Sequence, residues 1–194
     1  EHMQAFYTDF DKIKHKKYDG LIVTGAPVEQ MEFRDVSYWE EMKTILDWAE
    51  HNVQSSLFIC WASMAALYHY YGVPKYPLED KMFGVFHHTA NDQHLPIFRG
   101  FDDEFHMPHS RHTEIRAEDI VSIPNLEVIS ESDESGVGIV KEIGGRKFFV
   151  TGHLEYASHN LHEEYQRDLA KGLPINMPKH YYKKNNPDKN PVVR

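Results

Sequence analysis

The stretch Ser55-Ser56-Leu57-Phe58-Ile59-Cys60-Trp61-Ala62-Ser63-Met64-Ala65-Ala66-Leu67 decides the fold, because a short apolar run changes here into small residues with helical spacing. Residues 57–59 predict a buried strand, and the alanines after Cys60 predict a helix that packs close to its neighbours. A side chain at such a strand-to-helix corner projects from the carboxyl edge of a sheet, where α/β proteins place their functional groups. The corner therefore makes Cys60 the first candidate for chemistry.

Cys60 is the only cysteine among 194 residues, and two interpretations of it stay open. At a helix N-terminus the free N–H groups favour a thiolate, which is the nucleophilic form of cysteine. Most lone cysteines, however, are small buried hydrophobic residues. A single cysteine also excludes an internal disulfide, which fits a reducing compartment, and we expect a cytoplasmic protein.

The segments on the N-terminal side of this corner follow the order of an α/β protein. Residues 21–23 predict a strand that ends in the loop of residues 24–28, and residues 39–51 have the apolar spacing of a helix. The helix after Cys60 ends at Gly72. This strand–helix–strand order predicts a parallel sheet with a right-handed crossover.

A second strand end lies far along the chain. Residues 136–143 and 147–150 flank Gly144-Gly145, which is a hairpin signal, and the second of these strands leads into His153. The remaining predicted elements are a helix over residues 3–14, short strands over residues 120–123 and 126–130, and a helix over residues 160–171.

Composition limits the class of protein. With 41% hydrophobic and 26% charged residues, the 194 residues predict one globular domain over residues 1–194. No apolar run approaches the roughly 18–20 residues that span a bilayer, so we expect no membrane contact. The formal charge of −9 argues against broad nucleic-acid binding, which needs a basic surface.

Cys60, His153 and Glu155 form a candidate catalytic triad. A thiol nucleophile needs a base, and the base needs an acceptor that orients it. His153 and Cys60 each follow a predicted strand, so one sheet edge would carry both. Residues i and i+2 of an extended segment share a side, so Glu155 could hold the imidazole. Alternatively, His153 and Glu155 are surface residues after a hairpin with no relation to Cys60.

Three histidines, His106, His109 and His112, recur at intervals of three and invite a zinc interpretation. Pro108 interrupts any helix that would align them. We therefore favour histidines of a binding loop or of the structure, and we expect no metal.

Lys81, Arg111 and Arg167 are candidate cationic anchors for a carboxylate or phosphate. The competing interpretation of Arg167 is a surface pair with Glu163 at i,i+4, which is worth only a few tenths of a kcal/mol.

Five motifs together resemble the homoserine O-acyltransferases of methionine biosynthesis, over essentially the whole chain and in the order of that family. They are Thr24-Gly25-Ala26-Pro27, Val36-Ser37-Tyr38-Trp39, Cys60-Trp61-Ala62, Pro108-His109-Ser110-Arg111 and Gly152-His153-Leu154-Glu155-Tyr156. The resemblance implies a class I glutamine-amidotransferase-like (flavodoxin-like) α/β sandwich, with a mixed, mainly parallel sheet and a strand–nucleophile elbow–helix. It also implies that residues 1–194 are the catalytic core of a longer protein that continues at both ends.

The resemblance implies a role for each matched residue. Cys60 would be the acyl-accepting nucleophile, His153 the proton acceptor and Glu155 the third member of the triad. The residues on substrate-binding positions of the family are Lys81, Ser110 and Arg167.

The oxyanion would be held by backbone N–H groups, from Trp61 and from the loop that begins at Gly25. Phe58 and Ala62 stand where amidotransferases have the glycines of Gly-x-Cys-x-Gly. This departure weakens a glutaminase interpretation and agrees with the acyltransferase branch.

Glu29 bears on the acyl donor, because family members with glutamate at this position tend to use acetyl-CoA and those with glycine succinyl-CoA. A carboxylate here would repel the distal carboxylate of a succinyl group: two like charges about 4 Å apart cost about 4 kcal/mol at an effective dielectric near 20. Alternatively, Glu29 is solvated and selects nothing.

The sequence thus predicts a homoserine O-acetyltransferase that works by a ping-pong mechanism through a Cys60 thioester. Acetyl-CoA would be a co-substrate, with no metal and no tightly bound cofactor. The alternatives are a homoserine O-succinyltransferase that uses succinyl-CoA, a cysteine hydrolase or amidotransferase on the same fold, and a non-catalytic binding protein. The partners would be small molecules, and the oligomeric state is left open, with a homodimer among the options.

Overall fold

The computed structural model describes residues 7–189 and residue 191, and this part of the chain contains seven strands and five helices. The helices are α1 (Phe10–Ile13), α2 (Trp39–Asn52), α3 (Trp61–Tyr71), α4 (Ala117–Val121) and α5 (Asn160–Ala170). The strands are β1 (Tyr18–Val23), β2 (Val53–Ile59), β3 (Tyr76–Ala90), β4 (Glu104–Glu114), β5 (Leu126–Ser132), β6 (Gly136–Glu142) and β7 (Lys147–Val150). Short 3₁₀ turns lie at Phe33–Asp35, Pro96–Phe98 and Lys183–Asn185.

The strands form one mixed sheet in the order β1-β2-β7-β6-β5-β3-β4. Strands β1, β2 and β7 are parallel, and the other four pairings are antiparallel. The expected α/β fold with a mixed sheet is confirmed, but its parallel part is smaller than predicted. Two of the antiparallel pairings follow from short connections, which join β5 to β6 and β6 to β7 and can join only antiparallel neighbours.

The main core lies between the sheet and the helices α2 and α3. Leu46 of α2 and Leu67 of α3 are fully buried there together with aromatic residues of the sheet. Phe58 of β2 and Phe149 of β7 are register partners, and their stacked rings lie 5.3 Å apart. Burial of each ring contributes about 2–3 kcal/mol. This contact holds together the two strands whose ends carry Cys60 and His153.

A contact between β3 and the segment that follows α5 holds this helix against the sheet. Gly84 of β3, with φ of +151°, lies against Lys179, and an added Cβ would stand 2.4 Å from the Lys179 carbonyl oxygen. Lys179 exchanges backbone hydrogen bonds of 2.9 Å with Phe83 and Val85. The segment that follows places Tyr181 and Tyr182 in one buried cluster with Leu161 of α5. The position of α5 therefore depends on apolar packing.

Most predicted elements are present. The hairpin at Gly144-Gly145 and the helices α2, α3 and α5 are confirmed. The predicted strand over residues 120–123 is wrong: α4 covers Ala117–Val121, with Ile120 fully buried and Val121 71% exposed. Such a short apolar run does not distinguish a strand from a helix.

Helix α1 covers only part of the segment predicted as a helix over residues 3–14, whose first four residues lie outside the described part. Among the described residues, no helix combines the length and the apolar character needed to cross a bilayer.

Candidate active site

Cys60 stands at a strained turn between β2 and α3. Its backbone has φ of 54° and ψ of −121°, a region that residues other than glycine rarely adopt and that costs about 1–3 kcal/mol. The turn is held by the Cys60 amide, which donates to the Val150 carbonyl oxygen at 2.8 Å. The thiol is thereby fixed at the N-terminus of α3, in the elbow geometry that the sequence predicts.

The loop after β1 comes close to the nucleophile at Gly25. An added Cβ there would lie 3.1 Å from the Cys60 Cβ and 3.6 Å from Sγ. Trp61 follows Cys60 directly and is the first residue of α3, so its N–H has no partner within the helix. Gly25 and Trp61, the predicted sources of the oxyanion donors, are thus both next to Cys60.

His153 reaches the same sheet edge through β7. Ile59 pairs with Val150 in the parallel register, so the chain emerges from β2 and β7 at the same level. The amide of His153 donates to the Pro108 carbonyl oxygen at 2.8 Å, which ties the residue to β4. Gly152 permits this approach, because a Cβ there would stand 2.6 Å from both Met107 Cγ and the Pro108 oxygen.

Glu155 holds the His153 ring, with 2.7 Å between Nδ1 and Oε1. The two residues meet through a turn, in which the Tyr156 amide donates to the His153 carbonyl oxygen at 3.2 Å. The predicted contact is therefore present, although the segment is not the extended one assumed from the sequence.

The charge state of this group follows from burial and hydrogen bonding. Burial of His153 opposes protonation, but hydrogen bonds to Cys60 and Glu155 outweigh it and raise the pKa of His153 to about 9. Burial would raise the pKa of Glu155, but the hydrogen bond from His153 lowers it. Near neutral pH these shifts favour an imidazolium at His153, between Cys60 and the Glu155 carboxylate.

A cavity of about 780 Å³ opens above Cys60. Its lining includes the three predicted triad residues, the predicted substrate-binding residues, the predicted acyl-selective residue and one predicted oxyanion donor: Cys60, His153, Glu155, Lys81, Ser110, Arg167, Glu29 and Gly25. One site thus combines residues of five segments: the loop after β1, β3, β4, α5 and the segment after β7.

The end of the cavity next to α5 holds two cations and two carboxylates. Lys81 Nζ lies 3.4 Å from Glu164 Oε2 and 3.6 Å from Asp168 Oδ2. Arg167 Nε contacts Asp168 Oδ1 at 2.7 Å, and Arg167 Nη2 lies 3.9 Å from Glu164 Oε2. Arg167 therefore pairs with these two carboxylates and not in the surface pair considered from the sequence. A balanced set of opposite charges suits a zwitterionic ligand.

Sequence reasoning missed Glu164, Asp168 and Tyr156, all of which line the cavity. A signal was available for two of them: Glu164 and Asp168 are four residues apart on α5, on the same face as the buried Leu161.

Glu29 is held in the cavity wall. The His112 amide donates to Glu29 Oε1 at 3.2 Å, and Lys75 Nζ donates to the Glu29 carbonyl oxygen. Burial raises the pKa of Glu29 more than the His112 amide and the charges of Lys81, Arg111 and His153 lower it. Glu29 is therefore an ordered pocket residue and not a solvated one.

The three regularly spaced histidines lie on β4, where side chains alternate between the two faces of the sheet. His109 is fully buried, whereas His106 and His112 point to the opposite face. Among residues 7–189 and 191, no three His, Cys, Asp or Glu side chains are grouped so as to hold a metal ion.

Arg111 is also buried, and it donates to the carbonyl oxygens of Thr113 and Ser135. It is not part of the cavity lining, so the structure does not support it as an anchor for a ligand.

Comparisons with known proteins show which family and which fold the chain resembles. The family described as homoserine O-succinyltransferase matches residues 1–194. Relatives named homoserine O-acetyltransferase include those of Phocaeicola vulgatus, at 63% identity over all of this chain and 64% of the relative, and of Parabacteroides distasonis, at 62% identity over all of this chain and 63% of the relative. The chain thus spans about 64% of the length of these curated relatives.

Solved structures resemble the fold at low sequence identity. A glutamine amidotransferase from Thermotoga maritima matches with a TM-score of 0.62 and 14% identity, over 78% of this chain and 64% of that one. Another glutamine amidotransferase, from Methylobacillus flagellatus, matches with a TM-score of 0.57 and 11% identity, over 84% of each chain. These matches show the amidotransferase-like fold and nothing finer.

Proposed function

Because the chain belongs to the homoserine O-succinyltransferase family, we propose that it is the catalytic core of a homoserine O-acetyltransferase that transfers an acetyl group from acetyl-CoA to L-homoserine. The observation that carries this proposal is that Cys60, His153 and Glu155 share one cavity with the Lys81–Arg167 charge cluster. The names of the curated relatives support the same activity.

In the first half-reaction the Cys60 thiolate attacks the thioester carbonyl of acetyl-CoA. The carbonyl oxygen becomes an oxyanion that the backbone N–H groups of Trp61 and Gly25 can stabilise, since both residues flank Cys60. The C–S bond to coenzyme A breaks, and its sulfur takes the proton of the His153 imidazolium. The products are an acetyl-Cys60 thioester, neutral His153 and free coenzyme A.

In the second half-reaction neutral His153 accepts the hydroxyl proton of homoserine, and the hydroxyl oxygen attacks the thioester. Collapse of the tetrahedral intermediate releases O-acetylhomoserine and restores the Cys60 thiolate beside the His153 imidazolium. Arg167 and Lys81 would bind the homoserine carboxylate, with Ser110 beside them. These steps use no metal and no tightly bound cofactor.

Glu29 supports acetyl-CoA over succinyl-CoA as the donor. Its backbone is held by Lys75 and its carboxylate by the His112 amide, so it cannot easily turn out of the cavity. A succinyl group would place a second carboxylate near it, at a cost of about 4 kcal/mol for charges about 4 Å apart. Even half of that cost gives a preference of about 30-fold.

The proposal is tested on the full-length protein with acetyl-CoA or succinyl-CoA, with and without homoserine, by following the release of coenzyme A. We expect release that depends on homoserine and is faster with acetyl-CoA. An acetyl adduct should be found on Cys60 by mass spectrometry when homoserine is omitted, and Cys60→Ala should abolish it. Release of coenzyme A that does not depend on homoserine would favour a hydrolase. An acetyl adduct on a residue other than Cys60 would refute the role of Cys60.

Three other expectations remain predictions. A cytoplasmic location rests on the single free cysteine, which is buried. The absence of nucleic-acid partners rests on the charge of −9. A homodimer is open to a measurement of mass in solution.

A further inference from the structure

The carboxylate of Glu164 lies in the cavity wall and takes part in no bond-making or proton-transfer step of the proposed reaction. Glu164 of α5 is 16% exposed at its side chain, and both of its oxygens accept hydrogen bonds. Tyr156 donates its hydroxyl to Oε1 at 2.6 Å, and Ser110 donates to Oε2 at 2.6 Å. Lys81 Nζ lies 3.4 Å from Oε2. Glu164 thus connects β3, β4 and the segment after β7 to one helix.

Tyr156 extends this network to the proposed base. Its ring stacks on the His153 imidazole, with 4.1 Å between ring centroids and 22° between planes. Burial and the hydrogen bond to Glu164 raise the pKa of Tyr156, so it remains a neutral phenol that donates to the carboxylate. The face of such a ring also stabilises an imidazolium cation.

The stacking supplies a restraint that Glu155 alone does not. A single hydrogen bond from Nδ1 fixes one point of the His153 ring, but it leaves rotation about the Nδ1···Oε1 direction open. A ring stacked on the imidazole fixes its plane. The orientation of Nε2 toward Cys60 and the substrates therefore depends on where the Tyr156 ring is held.

We propose that Glu164 is a positioning residue for the acyl transfer proposed above, on which this inference rests. Through Tyr156 it fixes the plane of the His153 imidazole. Through Ser110 and Lys81 it keeps the substrate-binding end of the cavity at a fixed position relative to that ring. A role limited to anchoring α5 is less favoured. The helix is already held by the buried cluster of Leu161, Tyr181 and Tyr182, and by a 2.7 Å hydrogen bond between His162 and Tyr182.

The test compares Tyr156→Phe, Glu164→Gln and the double variant in the full-length protein. Tyr156→Phe keeps the stacked ring and removes only its tie to Glu164. The matched control is Tyr182→Phe, which removes a tyrosine hydroxyl that bonds a histidine of the same helix outside the cavity. Two readouts are measured: kcat and KM for homoserine, and the pH dependence of Cys60 alkylation by iodoacetamide, which needs neither substrate.

We expect Tyr156→Phe to lower kcat about 10-fold with little change in KM. Glu164→Gln should lower kcat about as much or more, and it should also raise KM for homoserine several-fold, because it disturbs Ser110 and Lys81 as well. The double variant should lose no more kcat than Glu164→Gln alone, since both changes break one connection. Alkylation near neutral pH should slow several-fold in both single variants, and Tyr182→Phe should match the wild type.

The outcomes separate this inference from the proposed function. A wild-type protein that transfers no acyl group to homoserine would overturn the proposed function. Wild-type kcat together with a wild-type alkylation profile in Tyr156→Phe would overturn the positioning role of Glu164. Multiplicative losses in the double variant would equally contradict it, because they would show two independent effects.

Discussion

The amide of Cys60 donates a hydrogen bond to the carbonyl oxygen of Val150, with 2.8 Å between nitrogen and oxygen. This bond joins the turn that carries the proposed nucleophile to the end of the strand that leads to His153. It continues the parallel register in which Ile59 faces Val150, so the sheet brings the two turns that carry nucleophile and base to the same level. Sites built on such rigid elements keep their geometry during turnover.

Replacement of Glu29 should change the donor preference. Glu29→Gly removes the carboxylate from the cavity wall, so the ratio of kcat/KM for acetyl-CoA over succinyl-CoA should fall by at least about 30-fold, the value of half the estimated repulsion. The measurement is the rate of coenzyme A release with each donor at saturating homoserine. Glu32→Gly, at an exposed residue three positions further on, is a control that should leave the ratio unchanged.

The same residue predicts a pH dependence. Burial raises the pKa of Glu29, and only the ionised form repels a second carboxylate. The acetyl preference of the wild type should therefore increase with pH as Glu29 loses its proton. Glu29→Gly should remove this trend. A preference that stays constant from pH 5 to pH 8, or that survives in Glu29→Gly, would contradict the repulsion argument.

Glu155→Gln should lower the activity through His153. The pKa of His153 is raised to about 9 by hydrogen bonds to Cys60 and Glu155 against the effect of burial. Without the carboxylate, less of the imidazolium forms near neutral pH, and kcat/KM should fall by about 10²–10³-fold. Acylation of Cys60 should be measured between pH 6 and pH 9 for the wild type and the variant.

The matched control for that change is Glu163→Gln, at an exposed carboxylate of α5 that faces His159 at 3.9 Å. It makes the same chemical change next to another histidine, outside the cavity lining, and should behave like the wild type. Equal pH profiles for Glu155→Gln and the wild type would show that Glu155 does not act on His153.

Gly152→Ala should disturb both stability and activity. An added Cβ would meet Met107 Cγ and the Pro108 carbonyl oxygen at 2.6 Å, so β4 must move away from the residue that precedes His153. Overpacking of this kind costs about 1–3 kcal/mol. The free energy of unfolding is measured by urea denaturation, and activity is measured on the folded fraction.

Gly20→Ala is the control for that change. In β1 an added Cβ would find its nearest atom, the Ser55 oxygen, at 3.9 Å, which is ordinary contact. This variant should keep the stability of the wild type within about 0.5 kcal/mol. If Gly152→Ala were as stable and as active as Gly20→Ala, the close approach of β4 would not position His153.

The sequence predicted the features of this site that local patterns determine. An apolar run that changes to small residues identified the Cys60 turn, and the Gly144-Gly145 hairpin identified the strand that leads to His153. The step from two strand ends to one site required only that neighbouring parallel strands end at the same edge. The resemblance to the family then implied Lys81, Ser110 and Arg167 as substrate-binding residues, whereas spacing alone did not separate Arg167 from a surface charge.

Other features depend on contacts between distant segments, and the sequence pattern could not reveal them. The stacking of Tyr156 on His153 requires a turn after β7, whereas the prediction assumed an extended segment. The pairing of β3 with β4 buries His88 against His109, with 3.0 Å between their Nε2 atoms. Three regularly spaced histidines on β4 therefore proved to be residues of two different faces.

The buried pair of His88 and His109 predicts a loss of stability in mild acid. Burial, reinforced by the charge of Arg111, lowers the pKa of His88 from 6.5 to about 4 and that of His109 well below 6.5. Between pH 6.5 and about pH 4 the unfolded chain binds protons at these histidines that the folded chain does not. The stability that the neutral pair contributes is therefore fully present above pH 6.5 and decreases as the pH falls. The shift of His88 alone should lower the free energy of unfolding by about 2 kcal/mol between pH 7 and pH 5.

Urea denaturation at both pH values should show this decrease in the wild type and a smaller one in His88→Gln. His159→Gln, at an exposed imidazole, is the matched control. His153, whose pKa is raised to about 9, gains stabilising protonation as the pH decreases and offsets part of the loss, so the effect of the pair is the difference between the wild type and His88→Gln. An equal change in the two proteins would mean that the pair accepts protons in the folded state.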